Sequence, residues 1–182
     1  MTATATLAPL VDPTGRRNKA ADSTLAPRPT SLRGLTVGLL DNTKPNATAL
    51  LTAIAGELRQ RYDVAEPRSY VKDYFGTPAE PELIERIVRE CDVVITAIGD
   101  CGSCSAATVA DGVLFERAGL PAVSICSDSF LMSARAMAGL EGFPGFEFIA
   151  VQHPVASLDG EQIAQRARGA MPEVLRILGV EA

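Results

Sequence analysis

Asp92-Val93-Val94-Ile95-Thr96-Ala97-Ile98 is the stretch of sequence that decides the fold class. It is apolar at nearly every position, which is typical of a strand buried on both faces of a parallel sheet. The residues that follow, 99–105, read Gly-Asp-Cys-Gly-Ser-Cys-Ser and lead into a segment, 103–118, that we predict to be a helix ended by Gly119. A buried strand, a tight turn and a helix are the first half of a βαβ unit.

The same alternation of strand and helix patterns extends outward from this stretch in both directions. We predict strands at 35–40, 63–71, 92–98, 121–126 and 146–151, the second of them an edge strand. We predict helices from 46 or 48 to 61 and at 81–90, 103–118, 130–139 and 160–178. Asn46 or Thr48 is expected to cap the first helix, Pro81 to begin the second and Asp159 to cap the last. The pattern predicts an α/β fold with one doubly wound, mostly parallel sheet of about five strands, flavodoxin-like, with helices on both faces.

Residues 1–32 differ from the rest, because they contain four prolines and show neither a helical nor a strand period. We interpret them as an extended N-terminal arm, either loose or lying across a neighbour, followed by a single domain at 33–182. Such an arm, together with the shallow site expected of one lobe, favours a homo-oligomer or a hetero-complex with a partner subunit.

Composition excludes several classes of partner. The net charge of −5 disfavours nucleic acid, and no apolar segment approaches the length needed to cross a membrane. The first ten residues lack the basic and apolar parts of a secretory signal, so we expect a cytoplasmic protein with reduced thiols. Four cysteines in that setting indicate metal binding, redox chemistry or plain burial.

Ligands of open parallel sheets bind beyond the carboxyl ends of the strands, and the polar residues predicted there form the candidate site for a small-molecule substrate. As catalytic residues we name Cys101, Cys104 and His153, and as substrate-binding residues Asp41, Asn42, Lys44, Asn46, Asp100, Ser103, Ser127 and Asp128. The Gly-rich patterns that cradle phosphates and dinucleotides are missing, and we predict neither a cofactor nor a metal.

Cys101 and Cys104 form the strongest signal. Cys101 is predicted to lie just before a helix and Cys104 in its first turn, where outward-pointing backbone N–H groups favour a thiolate. The spacing of three lets one sulfur attack and the other resolve. Zinc binding and two inert buried cysteines remain as alternatives, although His153 is the only histidine that could complete a metal site.

The remaining candidates each have a structural alternative. Asp41 and Asn42 either hold substrate or close their turn, and His153 is either an acid or base near neutral pH or a structural residue. The charge of Asp100 would oppose a thiolate, so we expect it to cap the following helix. Cys91 and Cys126 are predicted to lie in the core.

Residues 99–105 resemble the signature of the UGSC family of (seleno)proteins, in which selenocysteine or cysteine occupies the first thiol position. Further similarity lies at Asp12-Pro13-x-Gly15, residues 39–47, Glu116-x-x-Gly119-x-Pro121, residues 125–130 and His153-Pro154. The resemblance implies a reactive role for Cys101, at the selenium position, and a partner role for Cys104. The strand–Cys–helix arrangement also resembles, more distantly, one lobe of an Asp/Glu racemase-like enzyme, whose second lobe a partner chain would have to supply.

Three hypotheses for function follow. The first is a thiol-dependent oxidoreductase in which Cys101 attacks a disulfide, peroxide or other small electrophile and Cys104 resolves the product. The second is a non-redox lyase, isomerase or hydrolase acting on a small carboxylate, with Cys101 assisted by His153 or Asp41. The third is a non-catalytic accessory subunit.

Overall fold

The computed structural model of the protein describes residues 21–180. The strands are β1 (Val37–Asp41), β2 (Arg68–Val71), β3 (Val93–Gly99), β4 (Ala122–Ser127) and β5 (Ile149–Val151). The helices are α1 (Ala47–Tyr62), α2 (Pro81–Glu90), α3 (Gly102–Arg117), α4 (Leu131–Leu140) and α5 (Gly160–Leu178), with a 3₁₀ turn at Asp128–Phe130. No helix within 21–180 has the length and apolar character required to cross a bilayer.

All strand pairs are parallel, and the strand order is β2-β1-β3-β4-β5. Helices α1 and α5 pack together on one face of the sheet, and α2, α3 and α4 cover the other. The predicted α/β fold with a doubly wound, flavodoxin-like sheet of five strands is therefore confirmed.

Local sequence signals explain most of the boundaries. Every residue of β3 is buried, as its apolar composition predicts. Pro81 begins α2, and Asp159 caps α5 in a reciprocal capping box with Gln162. Gly179 ends α5 in the left-handed conformation that glycine adopts without steric cost.

Two strands are shorter than predicted. The expected strand at 63–71 begins only at Arg68, because Asp63 is left-handed and Pro67 has no N–H to donate to a neighbouring strand. The expected strand at 146–151 begins only at Ile149, because the N–H of Phe146 donates to the carbonyl of Phe143 and closes a turn.

Most of the predicted N-terminal arm, residues 1–20, lies outside the described residues. Residues 21–32 contain no helix or strand and contact the protein's own α3 and α5. The carboxylate of Glu116 accepts hydrogen bonds from Ala26 N at 2.7 Å and Arg28 Nη1 at 2.8 Å, while Arg28 Nε donates to the carbonyl of Ile177. Glu116, one of the residues that carry the family resemblance, thus anchors this segment.

Candidate functional site

The carboxyl ends of β1 and β3 lie side by side, at the point where the strand order reverses direction. Crevices at such switch points are where open parallel sheets bind ligands. Cys101 follows β3 by two residues and therefore lies at this position.

Cys101 is the N-cap residue of α3. Its sulfur accepts a hydrogen bond from Cys104 N at 3.2 Å and lies 3.5 Å from Ser103 Oγ, and Cys101 and Cys104 are joined by a disulfide. The predicted placement of both cysteines is confirmed. Asp100 does not cap α3, so that expectation is wrong: the N-cap position belongs to Cys101, whose extended backbone turns the sulfur back toward the first helical N–H groups.

The two sulfurs differ in exposure. Cys101 is partly exposed, whereas Cys104, in the first turn of α3, is completely buried. Gly99 lets the start of α3 pack closely on the end of β3, because a Cβ at that position would lie 2.7 Å from Ser105 Cα and equally close to the sulfur of Cys126. A reagent that approaches from solvent can therefore reach the sulfur of Cys101 but not that of Cys104.

Asp100 is turned away from the cysteines toward the loop that follows β5. Its Oδ2 accepts hydrogen bonds from Val155 N at 3.0 Å and Ala156 N at 2.8 Å. Burial alone would raise the pKa of this carboxyl, but the hydrogen bonds from Ala156, Ser127, Val155 and His153 outweigh it and lower the pKa below its usual value. Asp100 is therefore an ionised, acceptor-only group near neutral pH.

His153 is held by that carboxylate. Its Nδ1 lies 2.9 Å from Asp100 Oδ1 and 3.2 Å from Ser127 Oγ, and its ring contacts Phe130 edge-on at 5.3 Å between centroids. Since an ionised carboxylate only accepts, Nδ1 carries the proton in the neutral ring. Nε2 then has no hydrogen-bond partner among residues 21–180, and the side chain is 35 % exposed. The arrangement presents a proton acceptor to solvent.

Two further predicted residues lie at the carboxyl end of β4: Ser127 is its last residue and Asp128 follows it. Ser127 is buried and donates to the carbonyl of Gly99 at 3.2 Å, which connects the ends of β3 and β4. Asp128 is exposed and accepts the backbone N–H of His153 at 3.1 Å. Both therefore position His153, and Ser127 and Asp100 contact its ring directly.

The predicted residues at the end of β1 and in the turn after it mostly form hydrogen bonds within the protein. Asp41 accepts from Thr43 N at 2.6 Å and from the hydroxyl of Thr48. Asn42 is fully buried, and its amide donates to the carbonyl of Ile98 at 2.9 Å. Its Oδ1 accepts from Lys44 N at 3.3 Å, so the side chains of Asp41 and Asn42 both close the turn. Of the two residues expected to cap α1, Asn46 and Thr48, it is Asn46 that occupies the N-cap position, but its side chain makes no capping hydrogen bond.

Asn46 occupies the N-cap position of α1 without a side-chain cap, because its amide donates instead to the carbonyls of Val155 and Leu158, each at 2.9 Å. Thr48 is already inside the helix. Lys44 lies over the ring of Phe75, 4.4 Å from its centroid.

Cys91 and Cys126 are free thiols in the core, as predicted. Burial raises the pKa of Cys91, and it raises the pKa of Cys126 to about 12. Neither thiol ionises near neutral pH. Among the described residues no three His, Cys, Asp or Glu side chains are grouped as they would be to hold a metal ion.

Two features escaped the sequence analysis. Lys72 and Asp111 form a buried ion pair of 2.5 Å, with Ala79 N donating to the same carboxylate. Arg166 lines a cavity with His153 and donates to Gln152 Oε1 at 2.9 Å. In both pairs the partners come from different elements of the fold, so no local sequence motif indicates them.

The model of the UGSC family matches residues 9–180 of the chain. Neither the comparison with curated proteins nor that with solved structures gives a match. The resemblance to one lobe of a racemase-like enzyme stays a prediction.

Proposed function

The chain belongs to the UGSC family, and on that premise, together with the geometry of its cysteine turn, we propose that it is a thiol-dependent oxidoreductase. Cys101 is the nucleophile and Cys104 the resolving thiol. The observation that carries the proposal is the pairing of a partly exposed sulfur at a helix N-terminus with a buried sulfur within bonding distance.

The N-terminal end of α3 supports the choice of nucleophile. The N–H of Cys104 points at the Cys101 sulfur, and the free N–H groups of a helix N-terminus carry partial positive charge. Both effects stabilise a thiolate, which is the reactive form of cysteine. The charge of Asp100, which would oppose a thiolate, is directed to the loop at 153–156 instead.

Each cycle transfers two electrons from the cysteine pair to the substrate. With a disulfide substrate, the Cys101 thiolate forms a mixed disulfide and releases one thiolate; Cys104 then attacks the Cys101 sulfur and releases the second. With a peroxide, Cys101 becomes a sulfenic acid as an alcohol leaves, and attack by the Cys104 thiol forms the disulfide and water. A cytoplasmic dithiol reductant returns two electrons and two protons and regenerates both thiols.

The difference in exposure between the two sulfurs gives the decisive experiment. After treatment with an aromatic disulfide reagent, Cys104→Ser should retain a stable mixed disulfide at Cys101, because nothing can resolve it. Cys101→Ser should react far more slowly, since the remaining sulfur is buried. Peptide mass spectrometry identifies the labelled cysteine, and Cys91→Ser is the matched control with a buried thiol replaced. Equal labelling of Cys104 and Cys101 in the two variants would end the proposal.

A second candidate function is favoured by the Asp100–His153 pair. In a non-redox lyase, isomerase or hydrolase, Cys101 would form a covalent adduct or move a proton, and Nε2 of His153 would act as the acid or base. Asp41 is a weaker assistant, because both of its carboxylate oxygens are bonded by threonines. This chemistry needs Cys101 and His153 but not Cys104, so activity that survives Cys104→Ser and is lost in His153→Gln would favour it.

We also propose that the protein works as a homo-oligomer or in a complex with a partner subunit. A second copy of the chain or a partner subunit would cover the partly exposed Cys101 and His153, and the mass of the protein in solution tests this. Activity retained when both Cys101 and Cys104 are replaced would leave the role of an accessory subunit.

A further inference from the structure

We infer that the cavity between β5 and α5 is a binding site for a small carboxylate, which Arg166 holds next to His153. The inference goes beyond the proposed thiol chemistry and does not depend on it. The cavity has a volume of about 650 Å³, which suits a small molecule. One wall is formed by Ile149–Pro154, and the other by α5 from Gln162 to Glu173.

Arg166 is the group that points to an anion. Its Nη1 donates to Gln152 Oε1 at 2.9 Å, whereas Nη2 is not buried and has no partner among residues 21–180. Nε is buried and cannot be reached from the cavity. A carboxylate oxygen in the cavity would therefore accept hydrogen bonds from the terminal nitrogens of the guanidinium.

Arg176, on the same helix as Arg166, is already neutralised. Arg176 on α5 forms ion pairs with Glu147 and Glu173 at 2.8 and 2.9 Å, whereas Arg166 has no acidic partner within the described part of the chain. Arg166 is thus a cation with hydrogen-bonding capacity left over in a space large enough for a ligand.

The chemistry of the walls favours a carboxylate over a phosphate. A guanidinium matches a carboxylate with two parallel N–H donors, and one unpaired positive charge balances one carboxylate. The remaining polar side chains are the neutral amides of Gln152, Gln162 and Gln165, and Glu173 lines the same cavity. A dianionic phosphate would meet too little positive charge.

Binding here would place the ligand beside the Asp100–His153 pair. Arg166 donates to Gln152, which is the residue that precedes His153, and His153 itself lines the cavity. Because the chain contains a single histidine, its imidazole resonances report occupancy of the cavity without interference from any other ring.

The test uses butyrate, a monocarboxylate, as the probe, titrated into the purified full chain by calorimetry and followed by the imidazole resonances of His153. We expect saturable binding at one site that shifts those resonances. Arg166→Gln should weaken binding about tenfold or more, because it removes a charge-assisted hydrogen bond. The matched control is Arg168→Gln, which removes the same charge from an exposed position of the same helix and should change the affinity less than twofold.

A second variant keeps the test decisive if Arg166→Gln fails to fold. Gln165→Glu adds a negative charge to the cavity at an exposed position and should also weaken butyrate binding. Repeating the titration with Cys101→Ser/Cys104→Ser separates this inference from the thiol chemistry, since we expect unchanged binding there. The absence of saturable butyrate binding, equal affinity in Arg166→Gln, or inorganic phosphate binding as tightly at equal ionic strength would each overturn the assignment.

Discussion

Asp100 and Asp111 are two buried carboxylates near the same helix, and their surroundings give them opposite properties. Asp100 precedes α3 and accepts hydrogen bonds from backbone N–H groups and from the partly exposed His153, which lower its pKa. Asp111 lies inside α3, where burial raises its pKa against the attraction of Lys72 and the hydrogen bond from Ala79. Asp100, which contacts the partly exposed His153, belongs to the candidate site. Asp111, which is fully buried, holds the loop at 72–80 against α3.

The same substitution, Asp to Asn, at four positions tests this comparison. The largest effect is expected for Asp111→Asn, which leaves the Lys72 ammonium buried without a counter-charge. Breaking one partner of a buried ion pair costs about 3–5 kcal/mol of unfolding free energy. Urea denaturation measures the loss, and Asp73→Asn, at an exposed position of the same loop, is the matched control.

The double variant Lys72→Met/Asp111→Leu tests whether the unpaired Lys72 ammonium causes the loss of stability in Asp111→Asn. Replacing both charges with apolar side chains removes the unpaired ammonium, so most of the lost stability should return. A double variant as unstable as Asp111→Asn would show that the charge pair is not what Lys72 and Asp111 contribute.

Asp100→Asn should have the next largest effect, a loss of about 1–3 kcal/mol of unfolding free energy. The amide oxygen accepts hydrogen bonds from the loop N–H groups more weakly than a carboxylate does, and the amide NH₂ is itself a donor that would face other donors.

The same substitution should also change the tautomer of His153, since the Nδ1 proton loses its ionised acceptor. The nitrogen-15 chemical shifts of the imidazole report the tautomer. A purely structural role for Asp100 would lower stability and leave the Nδ1-protonated tautomer unchanged.

The pH dependence of stability gives the third and smaller effect. Because the pKa of Asp100 is lower in the folded state than its unfolded value of about 3.9, its contribution is fully present above that value. The contribution is lost as the pH falls through the folded-state pKa. The difference in unfolding free energy between wild type and Asp100→Asn should therefore shrink below about pH 4. A difference that stays constant on acidification would contradict the lowered pKa.

Asp128→Asn should have the smallest effect, at most about 0.5 kcal/mol, since exposed substitutions rarely cost more and an amide oxygen can still accept the His153 N–H. Urea denaturation measures it beside the other variants. A loss of stability comparable to that of Asp100→Asn would show that the hydrogen bond from the His153 backbone to Asp128 contributes as much as the hydrogen bonds to Asp100.

Much of the fold and part of the candidate site could be predicted from the sequence. The helix N-terminus at Cys101, the core positions of Cys91 and Cys126 and the cap at Asp159 all follow from local patterns of polarity and spacing. The absence of a side-chain capping bond at the start of α1 could not be predicted in the same way. Asn46 is a good capping residue by type, but a loop 109 positions later offers its amide a carbonyl instead.

The sequence by itself determined the order and type of the elements and the proximity of the two sulfurs, because these depend on residues that are neighbours along the chain. Only the tertiary structure decided that Cys104 is sealed, that Asp100 holds His153 across 53 positions, and that Arg166 faces Gln152. Those contacts depend on the strand order β2-β1-β3-β4-β5, which brings the ends of β3, β4 and β5 together. Hydrophobic periodicity predicts which face of an element is buried, but it carries no information about which polar groups meet across elements.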